Sequence, residues 1–221
     1  WSNLNFDSRM LNFNFFKGNR YPYTTHVSPN RQHDGLHIAR AAQTINSETL
    51  KTELTEAGNP SLALESLSRM QGFDTSASHT AYVDAINTLN ILRIIKNKHK
   101  ENWEEFLKTS TKSSVEMLLT NDGIYSIFEN VKGRNMMYLG CSLHPKHSFH
   151  PSYSSWGYLW DCRRDPEPLL NLPINQLRDF LKKMSPKALR VLKTNKAPVV
   201  LDKKFALRQK PYSDLDLDTI K

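Results

Sequence analysis

Cysteine is nearly absent. Two residues in 221, Cys141 and Cys162, exclude a disulfide scaffold and a four-cysteine metal site, and make a reducing compartment the simpler assumption. Glycine, at 8, and proline, at 11, are too few for a collagen-like or low-complexity chain. No apolar run approaches the roughly 20 residues of a spanning helix, and the first residues lack the basic-then-apolar layout of a signal peptide. No membrane association is expected, and a cytoplasmic location is. An initial methionine is lacking too: the chain opens at Trp1, which gives the expectation of an internal fragment or a processed chain. Positive charge, by contrast, is abundant, with 30 Lys+Arg against 22 Asp+Glu, a formal charge of +8 and a sequence pI near 9.4. The 38% of apolar residues suffices for the core of one large domain or two small ones. The basic excess suits a polyanion partner, because each cation set against a phosphate releases counterions.

Along the chain, Leu4, Phe6, Met10, Leu11, Phe13, Phe15 and Phe16 read as a short buried strand end running into a helix, with Asp7 and Ser8 at the junction. A helix is predicted over 34–45, with Leu36, Ile38 and Ala42 turned inward. Residues 61–70 predict a short helix capped by Ser61 with Glu65 and ended by Gly72. Over 80–98, Tyr82, Ala85, Ile86, Leu89, Leu92 and Ile95 recur at threes and fours along one face of a long helix. The small polar run 108–114 suggests a domain boundary. Beyond it lie short apolar stretches at 124–128, 136–143, 158–160 and 198–201, a β-rich pattern with one helix over 177–184.

The first candidate constellation is Asp7, His79 and Asp84. His79 and Asp84 lie five residues apart, about 140° of rotation on one continuous helix, so they do not share a helix face. They converge if His79 sits on the loop before the helix and Asp84 on its second turn. A histidine over a carboxylate suits removal of a proton from a metal-bound water during phosphodiester hydrolysis. The competing reading is a helix-start histidine and a solvated aspartate.

Asn3-Leu4-Asn5-Phe6-Asp7 resembles the Asn-x-x-Phe-Asp motif of the DEDDh 3′→5′ exonuclease superfamily, and His79 to Asp84, with the helix at 61–67 before it, resembles that superfamily's final His-x-x-x-x-Asp motif. Further matches at 34–40, Leu143-His144-Pro145, 165–172 and 193–199 are similar to the exonuclease I family of single-strand-specific deoxyribonucleases. The resemblance implies an α/β protein: the C-terminal part of an RNase H-like exonuclease domain over 1–110, then an SH3-like β-rich DNA-channel domain over 111–221. It implies Asp7 and Asp84 as ligands of two Mg²⁺ ions, with Mn²⁺ as a substitute, and His79 as general base. Carboxylates are the hard donors such ions take, and two ions about 4 Å apart clamp both oxygens of an in-line displacement.

The family also has an Asp-x-Glu on its first strand, where period-two alternation puts both carboxylates on one face. That strand is missing here. Asp165-Pro166-Glu167 has the spacing but carries a proline and matches another part of the family, so it reads as a turn. Asp7 and Asp84 alone do not neutralise two metals, and the 221 residues are expected to be inactive as they stand.

For single-stranded DNA, the expected partner, bases stack on exposed rings. Tyr125, Phe128, Tyr138, Tyr153, Trp156, Tyr158 and Trp160 lie in the β-rich half near Lys132, Arg134, Arg163 and Arg164, most of them as core; Tyr125 and Phe128 are the stacking candidates. Arg40 falls where the family has an arginine near the DNA path and is the phosphate-contact candidate, whereas Ala63 stands where relatives carry a larger basic residue. A single-stranded-DNA-binding protein is a further implied partner, and a monomer is expected. The run His144, His147, His150 is interrupted by Pro145 and Pro151 and lacks a completing cysteine or carboxylate, so zinc is not expected. Cys162 beside Arg163 reads as an ordinary thiol. The alternative function is a single-strand-binding remnant without catalysis.

Overall fold

A computed structural model describes residues 1, 7–25, 27, 29–120, 123–143 and 151–216. The helical half contains α1 (Asp7–Lys17), α2 (Gly35–Ile45), α3 (Leu64–Met70), α4 (Ala81–Lys98) and α5 (Trp103–Leu107). α6 (Lys112–Leu119) leads into a sheet built from β1 (Ile124–Val131), β2 (Arg134–Ser142), β3 (Trp156–Asp161), β4 (Leu189–Lys193) and β5 (Val200–Asp202). Short helices α7 (Glu167–Leu170) and α8 (Ile174–Lys183) bridge β3 to β4, and α9 (Lys204–Leu207) follows β5.

α2 begins where Asp34, itself buried, accepts the Leu36 N–H at 3.0 Å, a side-chain N-cap that satisfies one orphan donor. Ile38, Ala39, Ala41 and Ala42 then line its buried side. In α4 the buried stripe is Asn87, Ile91 and Ile95, at i, i+4 and i+8. The face expected from the apolar spacing is therefore only partly right: Ile95 is inside, whereas Tyr82, at 77% exposure, Ile86 and Leu89 face outward. α1 starts at Asp7, at the predicted junction, but has no buried residue, so its expected burial is also corrected. The strand end predicted before it falls on 2–6, outside the described residues. α3 forms without the expected cap: Ala63 is its N-cap residue and has no side-chain bond, while Ser61 Oγ accepts from the Ala63 N–H at 3.4 Å. Gly72, with φ of +80°, follows its end, a conformation that costs glycine little.

The sheet is antiparallel, in the order β4-β3-β2-β1-β5. β1 and β2 form a hairpin that closes through Lys132 and Gly133, with φ of 51° and 85°. Positive φ at both central residues is the type I′ turn, whose twist matches that of the strands. Phe128 and its cross-strand partner Met137 pack toward the α2 core, while Ile127 and its partner Tyr138 pack with Val115 and Leu119 of α6. The α2–α4 core also takes in Val199, Leu201 and Phe205 from the far end of the chain. Asp165 Oδ1 accepts the Glu167 N–H at 2.9 Å, so the second-half Asp-x-Glu is a turn that opens α7. No helix among the described residues is long and apolar enough to cross a membrane.

Candidate nucleic-acid interface and hydrolytic residues

His79 stands in the turn ahead of α4, with φ of +71°. The turn is fixed by Thr80, whose Oγ1 donates to Ala77 O at 2.7 Å. One helical turn on, Asp84 Oδ1 accepts the His79 backbone N–H at 3.2 Å. The loop thus brings His79 and Asp84 together through the histidine's main chain. The imidazole itself is 86% exposed and its Nε2 lies 3.5 Å from Glu65 Oε2 on α3. Glu65, expected in a helix cap, instead pairs with the histidine. In sequence it carried no signal beyond its cap spacing, because the contact joins separate helices.

Asp7 opens α1 at the surface, and α1 is tied to the body by Gln32 Nε2 donating to Ser8 Oγ at 3.3 Å. Among the described residues no three His, Cys, Asp or Glu side chains form a group able to hold a metal ion. Asp84 already has one oxygen engaged by the His79 amide. The donors present do not by themselves fit the two-metal centre that the family pattern implies, since hard divalent cations take several oxygen ligands. The histidine run 144–150 lies outside the described residues.

Between α2 and the sheet lies a cavity of about 490 Å³, bordered by His37, Arg40, Phe128, Asn130, Lys193 and Lys196, with Asp34 and Glu129 as its carboxylates. Arg40 and Asn130 also border a second cavity of about 340 Å³, whose far wall is Trp1 and residues 61–63, immediately before α3. The two cavities share Arg40 and Asn130, and the second is bordered by residues 61–63, just ahead of the helix that carries Glu65. Ala63 lines this second stretch, where a larger basic side chain was expected in relatives. Arg40 Nε donates to Asn135 Oδ1 at 3.2 Å. Burial lowers the Arg40 pKa and nearby Asp34 partly offsets this; the group remains cationic throughout the physiological range. Burial raises the Glu129 carboxyl, against the pull of Arg190, whose Nη1 lies 3.1 Å from Glu129 Oε2.

Arg40 and Phe128 therefore share one cleft. Tyr125 does not join them: its hydroxyl donates to Leu118 O at 2.7 Å, and it borders a separate 210 Å³ cavity beside Lys108. Of the other rings, Tyr138 is core, whereas Tyr153 and Trp156 are exposed and lie 4.7 Å apart between centroids. His37, Lys193 and Lys196 were not singled out as cleft residues from sequence, because α2 and β4 are brought together only by the fold.

The chain is mixed α/β in architecture, with a five-stranded antiparallel sheet and, between that sheet and α2, a cleft bordered by both cations and carboxylates. Its relatives are more particular: the chain is 24% identical over 218 residues to exodeoxyribonuclease I of Haemophilus influenzae, across 94% of this chain and 46% of the relative. It is 24% identical over 183 residues to exodeoxyribonuclease I of Escherichia coli, across 82% of this chain and 38% of the relative. Among solved structures, E. coli exonuclease I bound to a dT13 oligonucleotide superposes with a TM-score of 0.71 at 20% identity, covering 100% of this chain and 50% of that one. Exonuclease I from Methylocaldum szegediense gives 0.69 at 20% identity, with 100% and 49% covered. An ExoI/SSB-Ct complex gives 0.70 at 19% identity, with 100% and 50% covered. No protein-family profile matches the chain. The similarity to exonuclease I read from the motifs thus holds across the chain, and the chain spans about half the length of the relatives it matches.

Proposed function

We propose that this chain is the DNA-guiding portion of a 3′→5′ exodeoxyribonuclease acting on single-stranded DNA, with residues 111–221 as an SH3-like channel domain. The observation that carries the reading is the pair of cavities that both border Arg40, one edged by Lys193 and Lys196 and the other by residues 61–63, just ahead of the helix that holds Glu65 near His79. Arg40, Lys193 and Lys196 take phosphates, and Phe128 supplies an apolar wall on which an unpaired base of a single strand stacks. Base stacking on such a ring contributes about 1–3 kcal/mol with little regard for sequence. At the far end His79, exposed and close to a carboxylate, is the proposed acceptor of the attacking water's proton. Asp7 and Asp84 are the carboxylates proposed to take part in holding Mg²⁺, with Mn²⁺ as a substitute.

Because the described donors do not assemble a metal-holding group, hydrolysis is proposed to require an Asp-x-Glu pair from outside these residues. Alone, the chain is expected to bind DNA without cutting it. The same observation favours the second reading, a single-strand-binding remnant. A cytoplasmic monomer that meets single-stranded-DNA-binding proteins completes the proposal; the SSB-Ct complex of a structural neighbour supports the choice of partner alone.

The test is fluorescence anisotropy with a labelled oligothymidylate over a salt series, beside release of a 3′ label in Mg²⁺. Affinity for the single strand should exceed that for a duplex of equal length and fall with salt, with a log–log slope of about −0.7 for each phosphate neutralised. Salt-independent or duplex-preferring binding overturns the path. Release of mononucleotides by the 221-residue chain would overturn the requirement for a further Asp-x-Glu. When an Asp-x-Glu-bearing half of a relative is added, restored release supports the nuclease reading and persistent inactivity the remnant.

A further inference from the structure

We infer that Asn135 is the positioning residue that sets the Arg40 guanidinium for phosphate. The inference rests on the reading of the cleft as a single-strand path. Asn135 stands one residue into β2, just past the Lys132-Gly133 turn. Asn130, on the opposite strand and its register partner, accepts the Gly133 N–H on Oδ1 at 3.1 Å and donates from Nδ2 to Asn135 Oδ1 at 2.9 Å. The turn thereby fixes the Asn130 amide, and Asn130 fixes the Asn135 carbonyl. That carbonyl has two lone pairs, and its second bond comes from Arg40 Nε, at 3.2 Å. The guanidinium is planar, so a bond at Nε orients the whole plane and leaves Nη1 and Nη2 as donors for a ligand.

The chemistry of the acceptor matters. An aspartate at 135 would hold Arg40 in the same place but cancel its charge. A neutral amide orients the cation and leaves its positive charge for a phosphate, with which a fork-shaped donor pair makes two parallel bonds. Arg40 borders both cavities, so a phosphate seated on it lies where the path passes from the sheet to the helices. The hairpin is thus a strut across the cleft as well as part of the sheet.

The experiment is a double-mutant cycle in the 221-residue chain, read as oligothymidylate affinity and its salt slope. Arg40→Ala is expected to weaken binding about tenfold and make the slope shallower by about 0.7. Asn135→Ala should weaken it about fivefold. The pair Arg40→Ala with Asn135→Ala should be no weaker than Arg40→Ala alone. Arg40→Lys, which keeps the charge but lacks Nε and leaves the hairpin intact, should behave like Asn135→Ala. Wild-type binding by Asn135→Ala or Arg40→Lys overturns the inference, as does a full further loss on adding Asn135→Ala to Arg40→Ala. If Arg40→Ala itself leaves affinity and slope unchanged, the path reading at Arg40 fails and takes the inference with it.

Discussion

At the residue scale, the surroundings of single ionisable groups set properties that composition does not. His33 lies just ahead of the α2 cap, and its Nε2 is buried without a hydrogen-bond partner among the described residues. Burial, aided by Arg31, lowers its pKa from 6.5 to about 4. The unfolded chain therefore binds a proton that the folded chain refuses between those values, and stability is lost as pH falls from 6.5 toward 4. His99, lowered by burial and Lys98, acts in the same direction; Glu129, raised by burial, acts against it. Urea midpoints at pH 7 and pH 5 should differ in the native chain, and His33→Gln should reduce the difference; an unchanged difference would remove His33 from the account. Cys162 behaves as sequence reading anticipated, for burial pushes its thiol up to about 12. At pH 8 it is protonated and should resist iodoacetamide until the chain is denatured, while half-buried Cys141 is labelled first, as peptide mapping would show. The neighbouring Arg163 spends itself on Asp161, with Nη2 to Oδ2 at 2.6 Å, which is why an arginine beside a cysteine in sequence activated nothing.

At the element scale, α4 was legible from its apolar spacing, α2 from its start signal and inward apolar residues, and the β1–β2 pair from two short apolar stretches separated by turn residues. Which face is buried was less legible, and the cause in α4 is specific. Apolar residues lie on both sides of this helix, and the stripe that enters the core begins with a polar residue, Asn87, whose Nδ2 donates to Asp74 O at 3.0 Å. A count of apolar spacing passes over a buried amide whose partner lies outside the helix. β4 was missed for a related reason: Arg190 takes an inward position and Val191 an outward one, inverting the usual polarity. Arg190 is accommodated by stacking 3.6 Å from the Tyr138 ring centroid and by pairing with Glu129, and buried charge persists where it is paired. The α4 assignment has a direct consequence. Ile91→Ala should destabilise this chain by about 2–5 kcal/mol, whereas Ile86→Glu on the exposed stripe should leave the urea midpoint within the range of an ordinary surface change, about 0.5 kcal/mol. Equal losses at the two positions would mean that the outward stripe is covered in solution.

At the scale of the whole molecule, the polar run 108–114 marks a change of character that sequence alone displays, from helices to sheet. The contacts cross it. Thr109 Oγ1 donates to Pro198 O, the Gln209 side-chain amide donates to Thr44 O and Ile45 O at the end of α2, and Arg40 reaches Asn135. Val199, Leu201 and Phe205 are buried in the same cluster as Ile38, Ile91 and Phe106. Contacts between residues 89 to 165 positions apart leave no local period, so neither this seam nor the cleft was visible in the sequence, although Arg40 and Phe128, two of its borders, had been singled out. A core shared across the seam couples the two halves in unfolding, because neither can lose its packing without exposing the other's apolar surface. Calorimetry should therefore show one transition for the 221 residues. Phe205→Ala, which removes a buried ring from the seam, should lower that transition as a whole by about 3–5 kcal/mol while keeping it single. A transition that splits in the native chain, or a Phe205→Ala loss confined to the sheet signal in circular dichroism, would mean that the halves unfold independently; the Arg40–Asn135 contact that bridges the cleft would then form without the support of a common core.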